Sequence, residues 1–103
     1  RYDEAAAEYE RAVQLAPLDD FYHVRLATAY VRQQRHDEAL AAFRRAAALD
    51  PSNSAYWYLI GQQLLRMGRE EEADAHFRRA GTLDDYDIEY VRHIQMRCGA
   101  QTI

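Results

Sequence analysis

Laid over itself with a shift of 34 residues, the sequence matches column after column, and no other feature limits its possible folds so strongly. Tyr9, Phe43 and Phe77 share one column; Ala5, Ala39 and Ala73 share another; Ala12, Ala46 and Ala80 a third. Leu15, Leu49 and Leu83 align, as do Arg11, Arg45 and Arg79, and Pro17 aligns with Pro51. The acids repeat too: Asp3, Asp37 and Glu71, followed by Glu4, Glu38 and Glu72. The intervening stretch aligns Leu26 with Ile60 and Ile94, Ala27 with Gly61, and Tyr30 with Leu64.

Each period holds two helical patterns. In 37–49, Ala39, Leu40, Phe43, Ala46, Ala47 and Leu49 recur at three- and four-residue spacings and make one apolar stripe. In 54–67, Trp57, Ile60, Gly61, Leu64 and Leu65 do the same. Abundant alanine, with only 4 Gly and 2 Pro, favours helix over strand. Pro51 ends the helix before it, because proline disfavours helix at the preceding residue. Asp19, Asp20, Asn53 and Ser54 can cap the starts that follow. The pattern predicts an all-α chain with helices near 2–15, 20–34, 37–49, 54–67, 71–83 and 86–98. Ala5, Ala39 and Ala73 stand four residues before the aromatics, so a paired helix can approach closely while the ring fills the gap beside it. Ala27 and Gly61 give the same close approach from the partner helix. One helix pair cannot bury its own apolar face, but stacked pairs can.

These residues resemble the tetratricopeptide repeat (TPR) family, whose motif runs W-x2-L-G-x2-Y, then A-x3-F-x2-A, then P. One repeat reads His23, Leu26, Ala27, Tyr30, Ala39, Phe43, Ala46, Pro51; the next reads Trp57, Ile60, Gly61, Leu64, Ala73, Phe77, Ala80. The first stretch supplies the second half alone: Tyr2, Ala5, Tyr9, Ala12, Pro17. The resemblance implies a TPR-type helix-turn-helix solenoid, a right-handed α-α superhelix of about six antiparallel helices. It implies a single domain over 1–103: the second half of a repeat in 1–19, full repeats in 20–53 and 54–87, and a closing helix or truncated repeat in 88–103. His23 departs from the usual tryptophan, Asp74 stands in the column of Ala6 and Leu40, and Asp85 replaces the proline.

The resemblance also implies a ligand groove lined by the first helix of each pair. By helical spacing the groove face holds Phe21, Val24, Arg25, Thr28 and Arg32, then Tyr58, Leu59, Gln62, Leu65 and Arg66, then Glu89, Arg92, His93 and Met96. Four arginines against one acid make the strip locally basic, and guanidinium groups pair in bidentate fashion with carboxylates. The expected function is a protein-interaction module whose groove holds a segment of another protein bearing acidic residues; the alternative is a structural repeat segment of a larger protein that mediates self-association or scaffolding. A plainer account of Arg32 and Arg66 is that a cation near a helix C-terminus offsets the macrodipole; Arg25 and Arg92 have no such account. The carboxylate clamp of chaperone-tail-binding TPRs falls on Val24, Thr28, Leu59, Glu89 and His93, none of them a clamp residue; begun one helix upstream, it would fall on Arg25, Ala55 and Leu59, which do not match either.

Charge and composition remove other classes. With 13 Lys+Arg against 17 Asp+Glu and a net charge of -4, nucleic acid is not the expected partner. Pentatricopeptide RNA binders have a different period and basic surfaces. No run approaches the roughly 18 apolar residues of a membrane span. No cofactor or metal is expected: 1 Cys makes no multi-cysteine site, His23 and His36 fall in packing columns, His76 lies on an outer helix face, and Glu89 with His93 reads as an ion pair. Cys98 stands in the column of Tyr30 and Leu64 and reads as a buried hydrophobe. No phosphate loop or nucleophile elbow marks an enzyme. The acids at helix starts and the pairs Arg44-Arg45 and Arg78-Arg79 toward helix ends follow the macrodipole.

All basic residues are arginine, which a GC-rich coding genome or adaptation against lysine in high salt would produce, and either points to a prokaryote. The chain starts at Arg1, which suggests a fragment or processed form, and no leader pattern is visible. That favours the cytoplasm while leaving the compartment open. Lacking a helix before it, the stretch carrying Ala5, Tyr9 and Ala12 is expected to show an uncovered apolar face and to drive self-association unless the preceding residues are restored.

Overall fold

A computed structural model describes residues 1–83 of the chain. They form five helices: α1 (Tyr2–Leu15), α2 (Asp20–Arg32), α3 (His36–Leu49), α4 (Ser54–Arg66) and α5 (Glu70–Leu83). No strand occurs among the described residues. The expected helix over 86–98 lies outside them. The helices group into two compact units, one from Arg1 to Pro51 holding α1, α2 and α3, the other from Ser52 onward holding α4 and α5.

Local chemistry repeats with the sequence. Asp19 caps α2 by accepting from the Phe21 N–H at 3.0 Å, and Asn53 caps α4 by accepting from the Ala55 N–H at 3.0 Å. Ala16 and Asp50 precede the prolines and leave the helix with φ near -137° and -138°. The ends of α2 and α4 differ from expectation. They stop at Arg32 and Arg66, because the next residues close Schellman turns. Gln34 donates to the Val31 carbonyl at 3.0 Å and Arg35 to Tyr30 at 2.9 Å; Gly68 donates to Leu65 at 3.0 Å and Arg69 to Leu64 at 2.9 Å. Gln34 (φ 60°) and Gly68 (φ 75°) take the left-handed conformation these turns need.

In the first unit α2 packs on both α1 and α3. Leu26, Ala27 and Tyr30 are buried with Ala39, Leu40, Phe43, Ala46 and Ala47. Ala6 is the buried residue of α1. His23 is buried in the tryptophan column, and its Nε2–H donates to the Pro17 carbonyl at 2.9 Å, tying α2 to the α1–α2 turn. In the second unit α4 packs on α5 through Ile60, Gly61, Leu64, Ala73, Phe77 and Ala80. Burying this apolar surface is the main stabilising term in each unit.

Candidate protein-binding faces

The strip residues of α2 lie on its accessible side: Phe21, Arg25, Thr28 and Arg32 are exposed or half-exposed and Val24 is half-buried. The Arg25 guanidinium lies 4.7 Å over the Phe21 ring, and that of Arg32 lies 5.8 Å from the Tyr2 ring of α1. The Thr28 hydroxyl donates back to the Val24 carbonyl at 3.0 Å, so its polarity is spent inside the helix. Arg25, Thr28 and Arg32 wall an open pocket of about 180 Å³ whose other sides are Ala29 and, on α1, Tyr2, Ala5 and Tyr9. Two cations and no carboxylate line it.

On α4, Tyr58, Leu59, Gln62 and Leu65 form the corresponding strip; Tyr58, Leu59 and Gln62 are half-buried and Arg66 is the exposed cation at its end. The Gln62 amide donates to the Tyr58 hydroxyl at 3.2 Å, and Arg66 donates to the buried Gln63 at 3.1 Å. The Tyr58 ring packs on Phe77 with centroids 5.3 Å apart. Arg92, His93 and Met96, with Glu89, lie outside the described residues.

Several polar residues act where spacing alone did not place them. Arg35 clamps Glu38 through Nε at 2.9 Å and through a second, shorter contact from Nη2. One period later, Arg69 clamps Glu72 at 2.8 and 2.7 Å. Arg35 also lies 4.4 Å over the Tyr30 ring and donates to Gln33, whose amide donates to Asp3 of α1 at 2.7 Å. The hydrogen bonds from Arg35 hold the Glu38 carboxyl below its ordinary value. Burial, with the nearby charge and hydrogen bond of Glu10, pushes the Tyr30 hydroxyl up. His76 is half-buried, not simply outward: it sits 6.1 Å from Trp57, on whose ring Arg79 also rests at 4.0 Å. Asp74 pairs with Arg78 at 2.8 Å.

A hollow of about 400 Å³ beside Gly68 is lined by Arg69, Glu70, Glu71 and Glu72. Its acids stand in the first turn of α5, where the macrodipole favours them, and Arg69 is committed to Glu72. Among the described residues no group of three His, Cys, Asp or Glu is placed to hold a metal, and no helix is long and apolar enough to cross a membrane.

Comparison with known proteins fits this geometry. The profile of the tetratricopeptide repeat matches residues 24–88. Among solved structures, MamA AMB-1 is 32% identical with a TM-score of 0.77, over 82% of this chain and 50% of that one. MamA from Desulfovibrio magneticus RS-1 is 25% identical with a TM-score of 0.80, over 84% and 49%. The first TPR of Spaghetti (RPAP3), bound to the HSP90 peptide SRMEEVD, is 22% identical with a TM-score of 0.83, over 99% and 81%, a likeness of fold alone. The chain thus spans about half the length of the MamA structures it matches. No curated protein sequence matches it. With more than half of its residues inside the repeat profile and both helix hairpins built on the repeat's own columns, the chain belongs to the tetratricopeptide repeat family.

Proposed function

We propose that this chain is a protein-interaction module that holds a carboxylate-bearing segment of another protein against the accessible faces of its groove helices. The observation that carries this reading is Arg25. It sits in mid-helix, where no macrodipole calls for a cation, and it is exposed, with its guanidinium laid over Phe21. An accessible guanidinium offers the N–H fork that suits a carboxylate. Arg32 and Arg66 add charge one period apart. Thr28 and Gln62 add no charge, and Phe21, Val24, Tyr58 and Leu65 add apolar contact. Arg92, His93 and Met96 extend the same strip in sequence.

The reading does not extend to the HSP90 peptide held by Spaghetti, because the clamp positions carry Val24, Thr28, Leu59, Glu89 and His93. Immobilising the parent chain beside one with Arg25→Glu, Arg66→Glu and Arg92→Glu, and exposing both to a lysate of the source organism, tests the proposal. We expect at least one protein held by the parent and lost by the triple variant, with retention falling as salt rises. Equal retention by both would move binding to another face.

A further inference from the structure

We propose that the outer face of α3 docks on the same face of a second copy of this chain, the two helices running antiparallel about a two-fold axis at Ala41. One face of α3 buries Ala39, Phe43 and Ala46 against α2. The opposite face reads Asp37, Ala41, Arg45 at four-residue steps, and all three are exposed. The same exposed series returns on α5 as Glu71, Ala75, Arg79 and on α1 as Asp3, Ala7, Arg11. Apolar columns repeat because the helix joints need them; an exposed column has no such reason. The macrodipole accounts for the acids, which stand in the first turn of each helix. It does not account for the arginines, as spacing alone had suggested, because no basic residue stands in the last turn of any of the three helices. Nor do acid and arginine serve each other along their own helix. Eight residues rise about 12 Å, whereas side chains pair at three or four residues.

Among the three helices, α3 keeps this face uncommitted. On α1, Asp3 accepts from Gln33; on α5, Arg79 lies over the Trp57 ring and Arg78 pairs with Asp74. Asp37, Arg44 and Arg45 have no partner among the described residues. Charge then names the occupant, because the face is its own complement. A two-fold rotation about Ala41 exchanges positions equally far before and after it. It lays Asp37 of each copy beside Arg45 of the other. Glu38, already gripped by Arg35, comes opposite Arg44. Each pair is made twice. Ala41 stands at the crossing, where a small side chain lets two backbones approach, and rows of four-residue spacing are those that interdigitate in the commonest helix packing. An isologous contact of this kind closes at two copies and does not propagate. One helix against one helix is a small interface, so the dimer is weak and transient.

Sedimentation equilibrium on the 103-residue chain, from roughly 1 µM to roughly 500 µM, tests this. We expect the mass to rise from one copy toward two and no further. Asp37→Arg and, separately, Arg45→Asp should each weaken association about tenfold, since two exposed contacts per dimer turn repulsive. An equimolar mixture of the two reversed chains should associate about as well as the parent, because position 37 of either copy again meets the opposite sign at position 45 of the other. That rescue reads the antiparallel register, which a general loss of solubility or charge would not reproduce. Circular dichroism checks the helix content of each variant. If a reversed chain fails to fold, Arg45→Gln removes the charge without reversing it and should weaken association by a smaller factor. A parent that stays at one copy, a mass that climbs past two, folded variants that associate as the parent does, or a mixture of folded reversed chains no better than either alone would each overturn the proposal. It stands apart from the peptide-binding reading: the chain with Arg25→Glu, Arg66→Glu and Arg92→Glu should pair as the parent does.

Discussion

Where α4 meets α5, the ring of Phe77 lies so close to Gly61 that a Cβ there would stand 2.5 to 2.9 Å from three of its carbons. Ala27 and Phe43 occupy the same two columns in the α2–α3 hairpin, and there an alanine fits with both residues buried. The difference follows from the neighbouring column. Tyr58 lies against Phe77, while its counterpart one period earlier is Val24. With a second ring on one side, the first is pressed onto the helix backbone on the other. The top of each hairpin differs in the same way. His23 spends its ring on the Pro17 carbonyl, whereas Trp57 makes a platform for Arg79 and His76. A repeat thus keeps volume and contact at each joint, not residue identity.

The largest test of this equivalence is removal of the rings. Phe43→Ala and Phe77→Ala should each cost about 3–5 kcal/mol, because both rings are buried against a paired helix. Tyr9→Ala, in the same column but half-buried, should cost clearly less. Thermal melts followed by circular dichroism check the ordering; an equal loss at Tyr9 would show that α1 is covered in solution.

The tightness at Gly61 comes next. Gly61→Ala forces a methyl into the Phe77 ring, and overpacking of this kind costs about 1–3 kcal/mol. Better helix propensity offsets about 1 kcal/mol of that, leaving a net loss. Phe77→Leu in the same chain should recover part of it, and that coupling separates a local clash from a general loss of helix. Ala27→Gly runs the comparison backwards and should cost about 1 kcal/mol through propensity.

These joints were legible in the sequence because apolar columns at a fixed period can be read without coordinates. Helix starts were legible for the same kind of reason: Asp19 and Asn53 are the residue types that cap, at the offset where caps recur. The ends of α1 and α3 were legible from the prolines that follow, but those of α2 and α4 were not. Gly68 advertises a left-handed residue, but Gln34 gives no such sign, and the helical pattern runs through Gln34. The Arg35–Glu38 and Arg69–Glu72 clamps repeat at the same spacing, yet they sit in partly exposed polar columns that a search for apolar stripes passes over. The candidate site was half legible. Spacing put Arg25, Thr28 and Arg32 on one strip and Ala5 and Tyr9 on another, while the packing of α1 on α2 brings both to one pocket. That angle of approach is a property of two helices together and leaves no mark on either alone.

The paired turns give a smaller, signed test. Gln34→Gly should raise stability by about 0.5–1 kcal/mol, since glycine takes a φ of 60° without the clash a side chain meets. Gly68→Ala should lower it by about 1 kcal/mol, although no atom lies within 4 Å of where the added Cβ would stand, because the cost there is in the backbone alone. Chemical denaturation of both variants, with unchanged slopes, would make the two turns equivalent. A loss at Gln34→Gly would mean that the glutamine side chain contributes more than its backbone strain removes.

The weakest expected effect concerns the clamps at the starts of α3 and α5. Arg35 lowers the value at which Glu38 takes up a proton in the folded chain. The unfolded chain then binds that proton first as the pH falls. The contribution of the pair is therefore fully present above the ordinary glutamate range, near pH 4.5, and is lost as the pH drops through the lowered folded value. Both side chains are substantially exposed, so the contribution is small and salt-screened. The sharp measurement is a difference: the Tm of the parent minus that of Glu38→Gln, followed from about pH 7 to about pH 3. It should be small and positive at neutral pH, shrink only below the ordinary glutamate range, and shrink likewise in high salt. Glu72→Gln should likewise lower the Tm slightly and lose its effect in high salt, because Arg69 grips Glu72 through the same two donors. The Arg35 pair can be probed one step further. Arg35 also rests on the Tyr30 ring and donates to Gln33, which leads on to Asp3 of α1, so its position is fixed before Glu38 is engaged. A guanidinium already held in place loses less freedom on pairing. Removing that support with Gln33→Ala should therefore shrink the Glu38 difference.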